Sequence, residues 1–401
     1  MDQPVQFEPG TSGEREPSWD LLSSRTTREI LKQTSQQIGL YHPGLDSGEG
    51  PKSTTTGCLL VFLSVIGLAV VGLTLLDLGV GVALLSSLVA FVPVSIYLSA
   101  FLWLDRFDPE PPGTLAFAFL WGATISILVS AMLNDFFGLA WGDRLTGIVS
   151  APIVEEACKG MGVLMVALLF RRDFDSIVDG IVYAGVVALG FATIENIGYY
   201  GKSFATAGAG GLLGTFIVRG VLAPFSHVLF GAMTGVGIGI ARESHEPKVK
   251  FAAPMLGYAG AMLLHALWNL LASFDSSLFF MGYFFLEVPL FLAFVGAIAY
   301  LVRREGRILR QTLAREVERG LISAHQLDIA VSVFRRTSWL LGALGDGRRF
   351  RARRQFLRAV AKLGLCRWHQ ARAIEADRTT DSLPLIGRLQ AEVYYLQGEI
   401  V

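Results

Sequence analysis

Long runs of apolar residues alternate with short polar segments along the chain between about Gly57 and Val302. Each run holds about 20 residues or more, which is enough for a helix to cross the ~30 Å hydrocarbon layer of a bilayer. The pattern predicts eight membrane-spanning helices, at 57–76, 79–104, 113–137, 146–170, 177–200, 212–241, 251–273 and 277–302.

The sixth run, 212–241, is longer than one straight crossing needs. Arg219 and Pro224 also interrupt it. We therefore expect this span to be tilted, bent or partly re-entrant.

The composition agrees with the pattern, since 52% of the 401 residues are hydrophobic and only 17% are charged. A soluble domain of this length needs far fewer apolar residues. The predicted fold class is therefore all-α, a polytopic membrane helical bundle of about eight transmembrane helices with the lipid bilayer as its surroundings. Three widely spaced cysteines, Cys58, Cys158 and Cys366, fit neither a disulfide framework nor a thiolate metal site.

Two flanking segments differ from this bundle. Residues 1–56 are polar and rich in Gly, Ser and Thr, and they are predicted to be a disordered N-terminal segment without a cleavable signal peptide. Residues 303–401 hold 19 of the 34 basic residues against 10 acidic ones, with helix-like alternation of apolar and basic positions. This gives three regions: 1–56, the transmembrane domain 57–302, and a basic helical C-terminal segment 303–401.

The basic face of the C-terminal segment is typical of a surface that lies against anionic lipid headgroups. Binding of a partner protein is the other interpretation. A nucleic-acid partner is not expected.

Orientation follows from the Lys and Arg residues of the short loops. One set of loops is rich in them, and the opposite set holds only Arg144 and Lys202. By the positive-inside rule both termini are cytoplasmic, in a multi-pass protein of the cell inner (plasma) membrane. The basic residues of the rich set are Arg25, Arg28, Lys32, Lys52, Arg106, Arg171, Arg172, Arg242, Lys248, Lys250, Arg303, Arg304, Arg307 and Arg310.

The fourth span contains Glu155, Glu156 and Lys159, although an ionisable side chain in hydrocarbon costs ~2.5–3.5 kcal/mol on insertion scales. Lys159 lies one helical turn from both glutamates, so it can neutralise one carboxylate while the other faces a cavity. The alternative is that the glutamates mark an interfacial helix start, where acids complement the helix dipole. Their position about ten residues after Leu145, roughly 15 Å along a helix, favours the first interpretation.

Further polar side chains occur in the next three spans. Glu195 and His227 belong to the fifth and sixth spans, and His265 to the seventh. The predicted topology places them, with Glu155 and Glu156, in the outer part of the bilayer, which indicates a single site. Supporting roles are expected for Lys159, Asn196, Tyr199, Arg219 and Asn269.

Carboxylates and imidazoles in a water-accessible pocket suit hydrolysis, and two variants fit. In the first, His227, His265 and Glu195 bind a divalent metal such as zinc, while another glutamate acts as general base. In the second, a glutamate paired with histidine activates water without a metal. There is no His-Glu-x-x-His helix, so the zincin arrangement is excluded. Serine and aspartyl mechanisms are not expected either, because no Gly-x-Ser-x-Gly elbow has a partner histidine and Asp135 and Asp179 lie near opposite ends of their spans.

Several motifs occur in order over about residues 90–300: Asp105-x-x-Asp108-Pro-Glu110-Pro111, Glu155-Glu156-x-x-Lys159, Gly190-Phe191-Ala192-x-x-Glu195-Asn196-x-x-Tyr199, the Arg219–His227 segment, and His265-x-x-Trp268-Asn269. Together they resemble the PrsW family of intramembrane proteases. That family is similar to the CAAX prenyl endopeptidases and bacteriocin-processing proteins.

The resemblance implies cleavage of a membrane-anchored, single-span protein near the outer face of the membrane, with an anti-sigma factor as the best-known kind of substrate. Carried over by position, it implies catalytic roles for Glu155, Glu156 and His227, with Glu195 and His265 as the next candidates for ligand or base. It does not extend to residues 303–401.

Two other functions remain open from the sequence. Intramembrane Glu, His and Lys also form proton relays and ion paths in transporters, although no inverted repeat is evident. A non-catalytic scaffold derived from a protease is the second, but Glu155, Glu156 and both histidines are all present.

Overall fold

The computed structural model describes residues 53–171, 173–222, 225–274, 276–377 and 382–400, and all regular structure within them is helical. The predicted all-α class is confirmed. Most of the polar N-terminal segment, Arg172 and Pro224 lie outside these ranges, so the predictions for them stay predictions.

The first two helices, α1 (Ser53–Leu78) and α2 (Val80–Leu104), form an antiparallel pair of apolar elements. Gly79 separates them with φ 76°, a left-handed conformation that favours glycine. Only 11% of the most apolar part of α1 is buried. A helix that is apolar all round but unburied by protein is covered by lipid, as a membrane span is.

The next segment contains α3 (Pro112–Trp121), α4 (Ile127–Leu145) and α5 (Ala151–Leu169), joined by π-helical turns at Gly122–Ser126 and Thr146–Ser150. It spans 58 residues, about twice what a single crossing requires. The helix breaks within α4 at Gly142, where φ is 75° and ψ is 161°. One crossing therefore ends near this glycine and the next begins after it.

A similar segment follows, with α6 (Ile177–Phe216), a π-helical turn at Ile217–Leu222, and α7 (Ser226–Glu243). It covers 67 residues and breaks at Gly208, where φ is 61°. The interruption predicted at Arg219 takes the form of the π-helical turn, in which the backbone widens by one residue.

The remaining transmembrane elements are α8 (Pro247–Ala272), α9 (Ser276–Gly282), a π-helical turn at Tyr283–Glu287, and α10 (Val288–Thr312). Six helical stretches of the described residues are long and apolar enough to cross a membrane. Because the stretches of 58 and 67 residues each break at a glycine, Gly142 and Gly208, each can make two crossings, and the total of eight agrees with the number predicted.

Helix α6 lies at the centre of the bundle, since 89% of the most apolar part of its segment is buried. Glycines let α7 approach it closely. Gly231, Gly235 and Gly239 recur every four residues, and a Cβ at Gly235 would lie 2.1 Å from the carbonyl oxygen of Gly180 in α6. Such small-residue stripes permit backbone contact between transmembrane helices.

The opposite side of α7 contacts α8 in the same way. A Cβ at Gly237 would lie 2.3 Å from the carbonyl oxygen of Ala253, and one at Gly257 would lie 2.5 Å from that of Met233. Helices α6, α7 and α8 therefore pack backbone to backbone. This packing brings side chains from three helices within hydrogen-bonding distance of one another.

The C-terminal helices form a compact unit that includes Leu309–Arg372 and 382–400. Its buried polar centre is Glu316, whose carboxylate accepts hydrogen bonds from Arg367 at 2.8 Å and Gln390 at 3.1 Å. Many arginines of this unit are exposed, as the basic composition suggests. Its helices are α11 (Ala314–Glu318), α12 (Ala324–Val331), α13 (Val333–Leu341), α14 (Gly347–Glu375) and α15 (Leu383–Gln397).

Substitution of Gly235 by alanine should destabilise the protein, because the added methyl group meets the Gly180 carbonyl and the helices must separate. Overpacking of this kind costs about 1–3 kcal/mol. Thermal unfolding in detergent micelles should show the loss. Gly72→Ala is the matched control, since nothing lies within 4 Å of a Cβ at Gly72. Equal midpoints for the two variants would contradict the close approach of α6 and α7.

Candidate active site

The glutamate pair lies deep within its helix. Helical structure resumes after the break at Gly142, and Glu155 follows thirteen residues later. Glu155 is 7% exposed and Glu156 is 1% exposed. Their burial favours an internal site over an interfacial helix start.

Glu156 is the most extensively bonded carboxylate of the site. Its Oε1 accepts from Lys159 Nζ at 2.5 Å and lies 2.8 Å from Nδ1 of His265. The lysine thus neutralises one of the two glutamates, as its spacing predicted. His265 comes from α8, so the contact links α5 to α8.

Glu155 faces a different environment. Its Oε1 accepts from Asn134 Nδ2 at 3.4 Å, and its Oε2 lies 3.9 Å from Nε2 of His265. That Oε2 is buried without a hydrogen-bond partner. A buried carboxylate oxygen that makes no hydrogen bond to the protein is suited to bind a metal ion or a water molecule.

Asn134 is a contributor that sequence reasoning missed. Its Oδ1 accepts from the hydroxyl of Ser150 at 3.1 Å, so the amide nitrogen is turned toward Glu155. The sequence signal that could have identified it is an asparagine inside the apolar third span. A single amide is also a common helix-to-helix hydrogen bonder, so only its position beside Glu155 distinguishes it.

His227 of α7 contacts a second group of charged residues. Its Nε2 lies 2.9 Å from Oε2 of Glu195, and its Nδ1 lies 3.5 Å from Nζ of Lys159. Its ring is 5.4 Å from the ring of His265. The two histidines that the sequence placed in different spans are therefore neighbours.

Arg219 holds Glu195 in place. Its Nη2 donates to Glu195 at 2.6 Å, its Nε donates to Asn196 Oδ1 at 2.7 Å, and its guanidinium lies 3.9 Å from the ring centre of Tyr199. The π-helical turn at Ile217–Leu222 carries this arginine. Each of the three partners came from the motif that the sequence singled out around Glu195.

Asn269 lies at the far end of the same face of α8 as His265, one turn away. Its Nδ2 donates to the carbonyl of Gly147 at 2.7 Å. Gly147 belongs to the π-helical turn that precedes α5. The contact ties α8 to the start of the helix that carries both glutamates.

These side chains surround a cavity of about 610 Å³. Glu155, Glu195, His227 and His265 all line it, whereas Glu156 and Lys159 lie behind its wall. The structure thus brings all five predicted catalytic residues together, with Glu156 in contact with His265 rather than facing the cavity.

A metal ion could be held by Glu155, His227 and His265, whose ligand atoms all lie within 4.8 Å of one another. This set differs from the expected one in that Glu155 takes the place of Glu195. The reason is geometric, because Oε2 of Glu195 already accepts from Arg219 and contacts Nε2 of His227.

A second group of carboxylates with the same spread consists of Asp105, Glu110 and Asp179. The backbone N–H of Glu110 donates to Asp105 at 2.5 Å, and the hydroxyl of Tyr183 donates to Glu110 at 2.5 Å. Burial, followed by the nearby charge of Asp179, raises the pKa of both Asp105 and Glu110 well above the usual range. This group contributes to the fold of the 105–111 loop.

The fold and the site define a class. Within the described residues the chain is a multi-pass helical membrane protein with two histidines and two glutamates lining one cavity and a third glutamate in contact with one of the histidines. Residues 110–296 match the model of the PrsW family, described as intramembrane metalloproteases.

The chain is similar to three proteins that are each named protease PrsW. The chain is 28% identical over 204 residues to protease PrsW of Bacillus subtilis (strain 168), covering 50% of this chain and 86% of the relative. It is 33% identical over 155 residues to protease PrsW of Clostridioides difficile (strain 630), covering 37% and 62%. It is 28% identical over 211 residues to protease PrsW of Oceanobacillus iheyensis, covering 48% and 86%.

No solved structure matches the chain significantly. As its motifs indicated, the membrane-spanning part of the chain is similar to the PrsW family of intramembrane metalloproteases.

Replacement of Lys159 by methionine should strongly destabilise the protein, because it leaves the buried Glu156 carboxylate without its cation. Breaking one partner of a buried pair costs about 3–5 kcal/mol. Unfolding in detergent micelles measures this, and Lys159→Met combined with Glu156→Gln should recover part of the loss. Lys202→Met, at an exposed lysine, is the control. A loss no larger than that of the control would contradict a structural role for the pair.

The contribution of Asp105 and Glu110 to the stability of the protein should fall as the pH rises above the ordinary carboxyl pKa. The folded state holds protons on Asp105 and Glu110 more tightly than the unfolded state, because their pKa values are raised. Their contribution is therefore fully present below the ordinary carboxyl pKa and is lost as the pH rises through the raised values, by up to about 1.4 kcal/mol per pH unit for each proton.

Glu110→Gln should flatten this dependence, since glutamine can still accept from Tyr183 but does not titrate. Unfolding midpoints at a series of pH values give the slope. Glu246→Gln, in a loop on the surface, is the control. A slope that is identical in wild type and in Glu110→Gln would disprove the assignment to this residue.

Proposed function

We propose that this protein is an endopeptidase that hydrolyses a membrane-anchored, single-span protein near the outer face of the membrane. The observation that carries the proposal is the meeting of Glu155, His227 and His265 at one cavity, with ligand atoms within 4.8 Å of one another. Similarity to the PrsW family suggests the reaction class.

The donor set suits zinc, which proteins bind through imidazole nitrogen and carboxylate oxygen, with an open position in catalytic sites. The unpartnered Oε2 of Glu155 and Nε2 of His265, which lies 3.9 Å from it, both face the place where the ion would be held. A divalent ion bound there would polarise a water molecule and the scissile carbonyl group.

Each histidine has its own carboxylate. Nδ1 of His265 lies against Glu156, which holds the ring in the tautomer that presents an unprotonated Nε2 to the cavity. His227 likewise contacts Glu195, which Arg219 fixes. Carboxylates that orient histidine ligands in this way are a usual feature of catalytic metal centres.

Glu195 is the candidate general base. It lines the cavity, and its ion pair with Arg219 at 2.6 Å keeps it ionised and able to accept a proton from water. Glu156 lies behind the cavity wall and acts through His265, so we assign it a positioning role.

The metal-free mechanism has one observation in its favour. Both ring nitrogens of His227 already contact neighbours, Glu195 at 2.9 Å and Lys159 at 3.5 Å. His227 would have to exchange one of these contacts to bind an ion. Glu195 and His227 could instead activate water as a carboxylate–imidazole pair, which metal analysis tests.

The location of the reaction follows from the topology. Basic residues of the described loops gather on one side, including Arg106, Arg242 and Lys248, while Arg144 and Lys202 are the basic residues of the other. By the positive-inside rule the cavity faces outward and both termini are cytoplasmic, in the plasma membrane. A regulatory protein such as an anti-sigma factor is a substrate of the kind that the family resemblance suggests.

Glutamine at Glu155 or Glu195, or alanine at His227 or His265, should lower cleavage by about 100-fold or more, because each removes a ligand or a proton acceptor. The assay is co-expression with single-span reporter proteins, followed by immunoblotting and mass spectrometry of the products. His325→Ala, at an exposed histidine of α12, is the matched control. Full cleavage by all four site variants would disprove the proposed site.

The purified protein should contain about one zinc ion per chain, and His265→Ala should lose it, since removal of one ligand weakens the site severely. Elemental analysis after size-exclusion chromatography measures the content, and a chelator should abolish cleavage until zinc is restored. Metal-free protein that cleaves its reporter at the full rate would favour the carboxylate–imidazole mechanism.

A further inference from the structure

The outer part of the cavity carries two carboxylates that the proposed chemistry does not use. Asp135 and Asp143 line the same cavity as Glu155 and His227, and both aspartate side chains are exposed. With Thr146, which also lines the cavity, they form what we call the acidic mouth.

The backbone of α4 brings these residues together. Asp135 and Gly138 are three residues apart on one face of the helix, and Oδ1 of Asp143 lies 3.9 Å from where a Cβ of Gly138 would be. The chain reverses at Gly142, whose φ of 75° returns Asp143 toward the helix it has just left. Two carboxylates separated by eight residues thus belong to one wall of the cavity.

A buried polar atom of the mouth also lacks a partner. Thr146 is 7% exposed, and its hydroxyl oxygen makes no hydrogen bond within the protein. It lines the cavity three residues after Asp143. An unsatisfied hydroxyl on the wall of a cavity points to a polar ligand group that enters there.

No cation of the cavity wall balances the mouth. Arg219 is the basic residue among the cavity-lining residues of the described chain, and it is paired with Glu195 and Asn196. Arg144, next to Asp143 in sequence, is exposed and does not line the cavity. The mouth therefore offers two carboxylates and a hydroxyl to whatever enters, all of them able to accept hydrogen bonds.

We infer that the acidic mouth binds a lysine or arginine side chain of the substrate, close to the scissile bond, and so selects substrates with a basic residue at their outer membrane boundary. The inference rests on the proposed function and adds the substrate class to it. Ammonium and guanidinium groups carry only donors, which match the acceptors of Asp135, Asp143 and Thr146.

The chemistry also explains why this selection is useful. Basic residues are uncommon at the outer ends of membrane spans, because they favour the cytoplasmic side. A protease that requires one there would ignore most single-span proteins. Partly exposed ion pairs are weak individually, so two carboxylates should favour a basic side chain by about 3- to 20-fold in kcat/KM.

The test uses the full-length protein in lipid nanodiscs and synthetic single-span peptides. After the cut site has been mapped by mass spectrometry, a lysine is moved one residue at a time through the outer flank of that site. Each peptide is compared with one that has norleucine at the same position, which keeps the chain length but lacks the charge. Lysine should raise kcat/KM at one or two positions, and added salt should reduce the advantage.

Asp135→Asn combined with Asp143→Asn should bring the lysine-to-norleucine ratio close to one. Asp143→Lys should prefer glutamate in the peptide at the same position. The matched control is Asp77→Asn, which removes an exposed aspartate at the end of α1 that does not line the cavity, and it should keep the wild-type ratio. A wild-type enzyme without lysine preference at any position, or an unchanged ratio in the double variant, would overturn the inference.

Binding of the same peptides, measured by fluorescence anisotropy with Glu195→Gln protein, gives the ratio independently of turnover. Cleavage by wild type that is lost in Glu195→Gln tests the proposed function, whereas the ratio tests the mouth. If the protein binds the lysine and norleucine peptides equally but cleaves them, only this inference is wrong. If it prefers the lysine peptides but never cleaves them, only the proposed reaction is wrong.

Discussion

The buried ammonium group of Lys159 is the contact on which the arrangement of the site depends. It is 2.5 Å from Glu156 on its own helix, 3.5 Å from His227 of α7, and 4.7 Å from the ring centre of Phe191 in α6. Glu156 in turn holds His265 of α8. One cation thus joins four helices, and because Lys159 and Glu156 are both buried, its position constrains both histidines.

This charge network is possible because the helices that carry it approach without intervening side chains. Glycines of α7 contact the backbone of α6 on one side and of α8 on the other. The breaks at Gly142 and Gly208 and the π-helical turn that carries Arg219 then direct polar side chains to one cavity. Irregular backbone within a bundle is tolerated where it lines a cavity, as the π-helical turns that carry Thr146 and Arg219 do here.

The carboxylates of the cavity take different parts because their neighbours differ. Glu156 pairs with a lysine and Glu195 with an arginine, whereas Glu155 accepts a hydrogen bond from the neutral amide of Asn134. Farther out, Asp135 and Asp143 face the cavity without a cation from its wall. A progression from paired carboxylates inside to unpaired ones outside suits a hydrolytic centre with a substrate-binding entrance.

The sequence by itself determined the helical class, and it made Glu155, Glu156, His227 and His265 conspicuous as candidate site residues, because burial of a charge in hydrocarbon is so costly. The pairing of Lys159 with a glutamate also followed from helical spacing. Only the tertiary structure decided which glutamate it neutralises, that Glu155 lies near both histidines while Glu195 contacts His227, and that Asn134 hydrogen-bonds Glu155. These outcomes depend on helix rotation and on breaks at single glycines, and hydrophobic periodicity fixes neither to within a hydrogen-bond length.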